Sequence, residues 1–399
     1  MRGLVDEPAR LMSGGAPVRL PRTDFPLPDG RTVRIYGEVP GAPPETVARR
    51  QPAELHLRRD ELTATWIAVS PARNVRPHRS DAERAGLNDA TPAVPGSPAE
   101  RFACPLCPGG LELPVGYEAA VFDNRFPSLV PNPPPVPDSA EAGYAPAMGR
   151  CEVVMFTDRH EGNFATLTPA ETARVIAVWR DRTSELWEDP RNAFVMPFEN
   201  RGAEIGATLS HPHGQLYAFG HLPPMIERRV AALVAGRARR GSCLTCAVVA
   251  RELGSGRIVQ ENPHWAIGVP FAARWPYEVH VRAIRHGARR LADLGPDETV
   301  SLAGALHGVV ERYNGLFGFE LPYMMVVQEA PRGADDWHLG IELYPPHRTR
   351  DLLKIRASVE TATGLFINDT LPEASAKLLA AIPTAPRKEH PGFVVERTE

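Results

Sequence analysis

Ser210-His211-Pro212-His213-Gly214-Gln215 is the stretch on which the reading of this chain turns. It sets two imidazoles two residues apart, with a glycine and a glutamine behind them and the apolar run Leu216-Tyr217-Ala218-Phe219 next. Alternate residues of a strand share a face, so the spacing predicts His211 and His213 side by side. A proline is awkward inside a central strand, so Pro212 places the pair at a strand entrance or edge. One imidazole is then available to a metal and the other to chemistry.

The cysteines indicate the division of labour. Cys104-x-x-Cys107 precedes His160 and His211, and Cys243-x-x-Cys246 precedes His286 and His338. Two thiolates three residues apart chelate one ion through a tight turn, and two imidazoles complete a tetrahedron. A closed set of this kind predicts structural Zn²⁺, one site per half, rather than an activated water. In the second half His264, His280 and His307 compete for the same role. Cys151 is left as a buried core thiol.

The two sets belong to a duplication. In the first half the Cys pair is followed by Val121–Phe126, a strand at Glu152–Phe156, His160, Leu167-Thr168-Pro169-Ala170-Glu171-Thr172 opening a helix, a strand at Ala193–Phe198, and His211. In the second half the order recurs: Glu261–Ile267, a strand at Glu278–Ala283, His286, Leu294-Gly295-Pro296-Asp297-Glu298-Thr299, a strand at Tyr323–Gln328, and His338. The paired histidines are 51 residues apart in one copy (211 − 160) and 52 in the other (338 − 286). Repetition at this length predicts an α+β chain of two tandem, pseudo-symmetric modules, each an antiparallel sheet with packed helices. The expected division is a Pro/Gly-rich extension at 1–53, a catalytic module at 54–230, a second module at 231–383 and a tail at 384–399. The extension carries one strand signal, Thr32–Tyr36, and is expected to drape over the body or to be partly mobile. Glu54–Arg58 and Thr65–Val69 read as a strand pair, and Pro131–Ala147 as a disordered segment.

Composition narrows the class. The 399 residues are 43% hydrophobic and 23% charged, ordinary for a soluble enzyme. A formal charge of −3 offers no electrostatic case for nucleic acid or a membrane surface. No stretch approaches ~18 uninterrupted apolar residues, and the N-terminus lacks the apolar core of a secretory signal. A reducing cytoplasm is therefore expected, where paired cysteines mean metal more often than disulfide.

Superposing the copies on their last histidine lays His213 on Gly340 and Gln215 on Glu342. The metal scaffold is repeated but the second imidazole is not, which marks His213 as the nucleophile of a single active site. A neutral imidazole, with a reference pKa of about 6.5, attacks phosphorus well if its far nitrogen is protonated and held, for instance by a backbone carbonyl. Gly214 leaves room for a phosphate, and Gln215 can donate to a phosphoryl oxygen without repelling it. Upstream, Glu199-Asn200-Arg201-Gly202-Ala203-Glu204-Ile205-Gly206-Ala207-Thr208 offers an amide, a guanidinium, small residues and a hydroxyl, the parts of a pyrophosphate cradle.

From about residue 54 to 383 the chain resembles the galactose-1-phosphate uridylyltransferase family, of the histidine-triad superfamily. The resemblance rests on His211-Pro212-His213-Gly214-Gln215, Trp66-Ile67-Ala68-Val69-Ser70-Pro71-x-Arg73-x-x-Arg76-Pro77, Phe122-x-Asn124-x-Phe126, Phe198-Glu199-Asn200-x-Gly202 and Tyr344-Pro345-Pro346. It implies a double displacement in which His213 takes UMP from UDP-glucose and passes it to galactose 1-phosphate. Gln215 steadies the intermediate and Thr208 assists the leaving phosphate. Phe122, Asn124, Phe126 and Asn200 match nucleoside-binding positions. Arg73, Arg76 and Lys354 match residues that reach phosphates across a homodimer interface, with Glu360 near the hexose. The four positions of an iron site found in some relatives hold Arg229, Gln328, Gly340 and Glu342, so no iron is expected. The family's acidic position beside the nucleoside is Arg125. Three other readings stay open: a sister enzyme such as ADP-glucose phosphorylase, a histidine-triad hydrolase (disfavoured because Gln215 cannot shuttle a proton), and a catalytically silent zinc-binding module.

Overall fold

The computed structural model describes residues 16–38, 54–75, 104–113, 115–136, 143–207, 209–386 and 388–398. The described chain opens with two hairpins, β1 (Val18–Pro26) with β2 (Thr32–Tyr36), and β3 (His56–Asp60) with β4 (Thr65–Val69). Beyond the first cysteine pair come β5 (Ala119–Asp123), β6 (Tyr144–Pro146), β7 (Gly149–Met155), helix α1 (Pro169–Glu188), β8 (Phe194–Arg201) and β9 (His213–Phe219). Helices α2 (Pro224–Arg240) and α3 (Leu244–Leu253) lead to β10 (Ile258–Gln260), β11 (Trp265–Gly268), β12 (Val279–Ala283), α4 (Pro296–Phe317), β13 (Tyr323–Gln328) and β14 (Gly340–Tyr344). A small hairpin, β15 (His347–Thr349) and β16 (Leu352–Leu353), then α5 (Ser358–Thr363), α6 (Pro372–Ala381) and β17 (Phe393–Arg397) complete it.

Twelve of these strands form one sheet, in the order β10-β11-β12-β14-β13-β8-β9-β7-β5-β2-β1-β17. The order reads outward from β13 and β8 as two mirrored halves, β13-β14-β12-β11 and β8-β9-β7-β5. The halves join by antiparallel pairing of β13 with β8, Val326 opposite Phe198 and Met324 opposite Asn200. The fold is thus the expected α+β duplication, with the two module sheets fused into one. Two long helices cover one face. Helix α1 starts at Pro169 behind a Thr168 cap: the hydroxyl accepts from Glu171 N at 3.2 Å, and the Glu171 carboxylate accepts from Thr168 N at 2.7 Å. Helix α4 starts at Pro296 by half of that device, Glu298 accepting from Gly295 N at 2.8 Å. Both present apolar stripes to the sheet, and Ile176 and Trp179 of α1 share a core with Leu302, Leu306 and Val310 of α4 and with Leu216 and Ile341 of the strands.

The extension departs from expectation. Thr32–Tyr36 is a strand as its pattern predicts, but Val18–Pro26 is a strand too, and both enter the main sheet. Strand β1 also pairs with β17 in parallel, the one parallel neighbour in this sheet among the described residues, so the two ends of the described chain meet. Buried charge explains the docking. Arg22 of β1 donates to Asp181 at 2.6 Å and to Asp24 at 2.7 Å, and Tyr36 donates to Asp181 at 2.7 Å. Glu152 of β7, fully buried, accepts from Nε and Nη2 of Arg182 of α1 at 3.0 and 2.7 Å, with Arg34 beside it. Interleaved charge of this kind carries no amphipathic signature, so composition alone made the segment read as an appendage. Part of Pro131–Ala147 is also ordered into structure: Tyr144–Pro146 is β6, pairing with β3.

Burial alone would raise the Glu152 carboxyl, but Arg182 and Arg34 outweigh it and hold Glu152 at about 2. A lowered carboxyl stabilises the fold above its ordinary value of 4.5, and that contribution is lost as pH falls towards 2. Glu152→Gln should flatten the acid-unfolding slope in this window. Arg182→Met, which removes the bidentate partner of the buried carboxylate, should cost ~3–5 kcal/mol at neutral pH in urea titrations.

Candidate functional site

Strand β9 alternates cleanly: Gly214, Leu216 and Ala218 are buried towards α1, while His213, Gln215 and Tyr217 are half-buried on the opposite face. On that face Gln215 lies opposite Val153 of β7 on one side and Phe198 of β8 on the other, and Val153 lies opposite Phe122 of β5. One row across the sheet therefore reads Phe122, Val153, Gln215, Phe198, and Asn200 shares the face two residues beyond Phe198. His213 stands at the strand entrance, where the proline places it. His211 lies before the strand begins, so the two imidazoles do not form a same-face pair. His211 is buried, whereas His213 folds back so that its Nδ1 lies 2.7 Å from the His211 carbonyl oxygen. A carbonyl only accepts, so Nδ1 carries the proton and Nε2 keeps its lone pair.

Gly214 has a different role from the one its position suggested. A Cβ there would fall 2.7 Å from the Phe198 carbonyl oxygen and 2.8 Å from the Phe156 ring. The glycine makes room for the core beneath the strand, not for a phosphate above it. Arg201 is likewise committed to the protein: it donates to the Ser210 carbonyl at 2.7 Å and to both oxygens of Glu320 at 2.9 Å, bracing the approach to His211. Gly202 and Gly206 adopt φ of +107° and +80° around the short 3₁₀ turn Ala203–Ile205, conformations that suit glycine.

Cys104, Cys107, His160 and His211 bring one ligand atom each to within 4.8 Å of one another, as do Cys243, Cys246, His286 and His338. In the first cluster Cys107 Sγ lies 3.3 Å from His160 Nδ1 and 3.5 Å from His211 Nδ1. The far nitrogen of His211 donates to the Thr157 carbonyl at 2.9 Å, with the Tyr117 hydroxyl at 3.2 Å. Burial pushes His211 down to about 4, so its inward nitrogen stays unprotonated. The second cluster reverses the ring: His338 Nδ1 donates to the Ala283 carbonyl at 2.8 Å, and Nε2 faces Cys246 Sγ at 3.4 Å. Cys243 caps α3 and accepts from Cys246 N at 3.4 Å. Two soft thiolates and two imidazoles with oriented lone pairs suit a tetrahedral ion. Two of the three competing histidines are engaged elsewhere, His280 with Glu278 at 2.8 Å and His307 with the Phe164 carbonyl at 3.1 Å, and His264 is not part of the second cluster.

Two family models cover most of the chain: "Galactose-1-phosphate uridyl transferase, N-terminal domain" matches residues 46–223, and the corresponding C-terminal domain matches 229–386. The chain belongs to the galactose-1-phosphate uridylyltransferase family. A family member from Thermotoga maritima is 38% identical over 331 residues, spanning 82% of this chain and 98% of its own. One from Streptomyces lividans is 36% identical, spanning 72% and 80%. A solved uridylyltransferase superposes with a TM-score of 0.71 at 30% identity, over 82% of this chain and 97% of its own. An ADP-glucose phosphorylase from Arabidopsis thaliana, with bound ADP-glucose, shares the fold at a TM-score of 0.60 and 21% identity.

Other residues singled out by the family resemblance fall into three groups. Arg76 and Thr208 lie outside the described residues. Asn124, Phe126 and Arg73 form one wall: the Asn124 side chain accepts from Phe126 N at 2.8 Å, and Arg73 donates to the Phe126 carbonyl at 3.0 Å. Arg73 also reaches Tyr217 at 3.4 Å, a residue the sequence reading passed over although it lies two places beyond Gln215 on the same face. Lys354 and Glu360 are joined to each other at 2.7 Å, and the Glu360 carboxylate also accepts from Ile367 N. Lys354 and Ile367 N hold the Glu360 carboxyl below its usual range. No hydrogen bond or ion pair among the described residues joins either to β9. At the positions of the relatives' iron site, Glu342 binds Arg229 and Arg282, each at 3.1 Å, and the Arg282 guanidinium lies over Gly340, 3.3 Å from where a Cβ would be. Guanidinia have no lone pair to give a metal.

Gly214→Ala should cost ~1–3 kcal/mol through overpacking against Phe156, read as a lower melting temperature.

Proposed function

We propose that His213 is the nucleophile of a two-step uridylyl transfer between UDP-glucose and galactose 1-phosphate. The observation carrying this reading is the hydrogen bond from His213 Nδ1 to the His211 carbonyl, which leaves Nε2 as a fixed lone pair on the site face. In the first step Nε2 bonds to the α-phosphorus of UDP-glucose, the bridging P–O bond breaks, and glucose 1-phosphate departs with the electron pair. The imidazole becomes cationic, and the His211 carbonyl already lies against its proton. In the second step a phosphate oxygen of galactose 1-phosphate attacks the same phosphorus and expels His213. No proton is gained or lost over the cycle, which fits Gln215 where a hydrolase would need an acid. Gln215 donates to a phosphoryl oxygen, and Phe122, Asn124, Phe126 and Asn200 surround the nucleoside. Gly206 and Thr208 form the phosphate side, and Arg73, Arg76, Lys354 and Glu360 complete the site. Arg73, Arg76 and Lys354 would reach phosphates across the interface of a homodimer, with Glu360 near the hexose, a reading supported by the exposed side chains of Ile355 and Leu365. The curated relatives are named for uridylyl transfer, which favours UDP-glucose over ADP-glucose.

Protein incubated with uridine-labelled UDP-glucose, without acceptor, should retain acid-labile label, and adenine-labelled ADP-glucose should leave none. His213→Gly should lose exchange by roughly 10⁴-fold or more and regain turnover when given a preformed uridylyl imidazolide. Adenylyl label instead, or label retained by His213→Gly, would refute the reading.

Zinc is the ion that the two Cys₂His₂ clusters fit best, with no open position for water. Bound there, it would tie the Cys104–Cys107 turn to His211 and the Cys243–Cys246 turn to His338, and so brace the strand that carries His213. No helix among the described residues is long and apolar enough to cross a membrane, and four metal-type thiols suit a reducing cytoplasm. Elemental analysis should find about two zinc ions per chain. Chelation should lower the melting temperature before it lowers the rate of enzyme that remains folded. Abrupt loss of rate at an unchanged melting temperature would count against a structural role.

A further inference from the structure

The β1–β2 hairpin lies outside both family-matched ranges, yet it touches the nucleotide wall from two sides. Strand β2 pairs with β5, setting Val33 opposite Phe122, and Thr32 N donates to Asp123 at 2.9 Å. On the other side, buried Arg31 reaches the carboxylate of Glu112 at 3.4 Å. The second oxygen of that carboxylate holds Arg125 at 3.1 Å, and the Arg125 guanidinium lies 5.0 Å from the Phe126 ring centroid. Glu112 is itself fixed, its N–H donating at 2.9 Å to the carbonyl of Pro105, inside the Cys104–Cys107 turn.

We propose that the hairpin is a positioning element for nucleotide-sugar binding, acting through Arg31, Glu112 and Arg125 on the loop Asp123–Pro127. The inference rests on the nucleoside-site reading given above. A carboxylate shared between two guanidinia fixes both, and a long Arg side chain left unpaired keeps its rotamer freedom. Holding Arg125 over Phe126 preorganises the wall that receives the nucleoside, so less ordering remains to be done on binding.

In the full-length chain, Arg31→Met should raise the KM for UDP-glucose by roughly 5–20-fold. The KM for galactose 1-phosphate and kcat should stay within about twofold, and Arg31→Lys should recover part of the loss. Glu112→Gln should reproduce the effect by a substitution at the other end of the contact. Arg22→Met breaks the ion pairs of the same hairpin with α1 without touching Glu112. It should lower the melting temperature and leave the KM for UDP-glucose unchanged at temperatures where it is folded. The proposal is overturned if folded Arg31→Met and Glu112→Gln keep the wild-type KM, or if their losses track melting temperature as those of Arg22→Met do. Absence of uridylyl exchange in the wild-type chain is a separate result, which would remove the functional reading and this inference with it.

Discussion

The three residues His211, Pro212 and His213 are held from both ends, and the site depends on that restraint. The His211 ring is pinned between two thiols and the Thr157 carbonyl, while its own carbonyl receives the proton of the His213 ring. Fixing one side chain therefore fixes the tautomer of the next. Pro212 removes a backbone donor and restricts φ between them, so the segment has little freedom to rotate the carbonyl away. The clusters need no role in the chemistry to matter for it. The first of them holds the His211 backbone oxygen in place, and that oxygen orients the His213 ring.

The pseudo-symmetry of the sheet shows what this arrangement requires. Gln215 and Glu342 lie in one row, separated only by the central pair Phe198 and Val326. At the first position the neighbouring imidazole of His213 is half-buried on the face opposite α1, its Nδ1 held by the His211 carbonyl. At the second, glycine replaces the imidazole, and Arg229, Arg274 and Arg282 close over the glutamate. Burial alone would raise the Glu342 carboxyl, but Arg229, His280 and Arg282 hold it well below the usual range. One copy keeps an imidazole on this face while the other converts the same position into an ionic core.

Periodic and local features were legible in advance. The Pro-x-Glu-Thr starts of α1 and α4, the strands at Thr32–Tyr36, Thr65–Val69 and Tyr323–Gln328, and both Cys/His clusters follow from spacing and residue type. What escaped were contacts set by neighbours far along the chain. Glycine at 214 serves Phe156, Arg201 serves Ser210 and Glu320, and the N-terminal hairpin is seated by charges on β7 and α1. Arg201, which reads as part of a phosphate cradle, is committed to Ser210 and Glu320 instead, and an ion pair reports nothing of its partner in sequence.

The sequence by itself determined the duplication, the ligand types and the single unrepeated imidazole, because each is a matter of order and chemical identity along one dimension. Only the tertiary structure decided which nitrogen of His213 meets the His211 carbonyl, which face of β9 packs on α1, and that the two modules share one sheet. Those outcomes depend on backbone carbonyls and cross-strand register, and neither is written in any side chain.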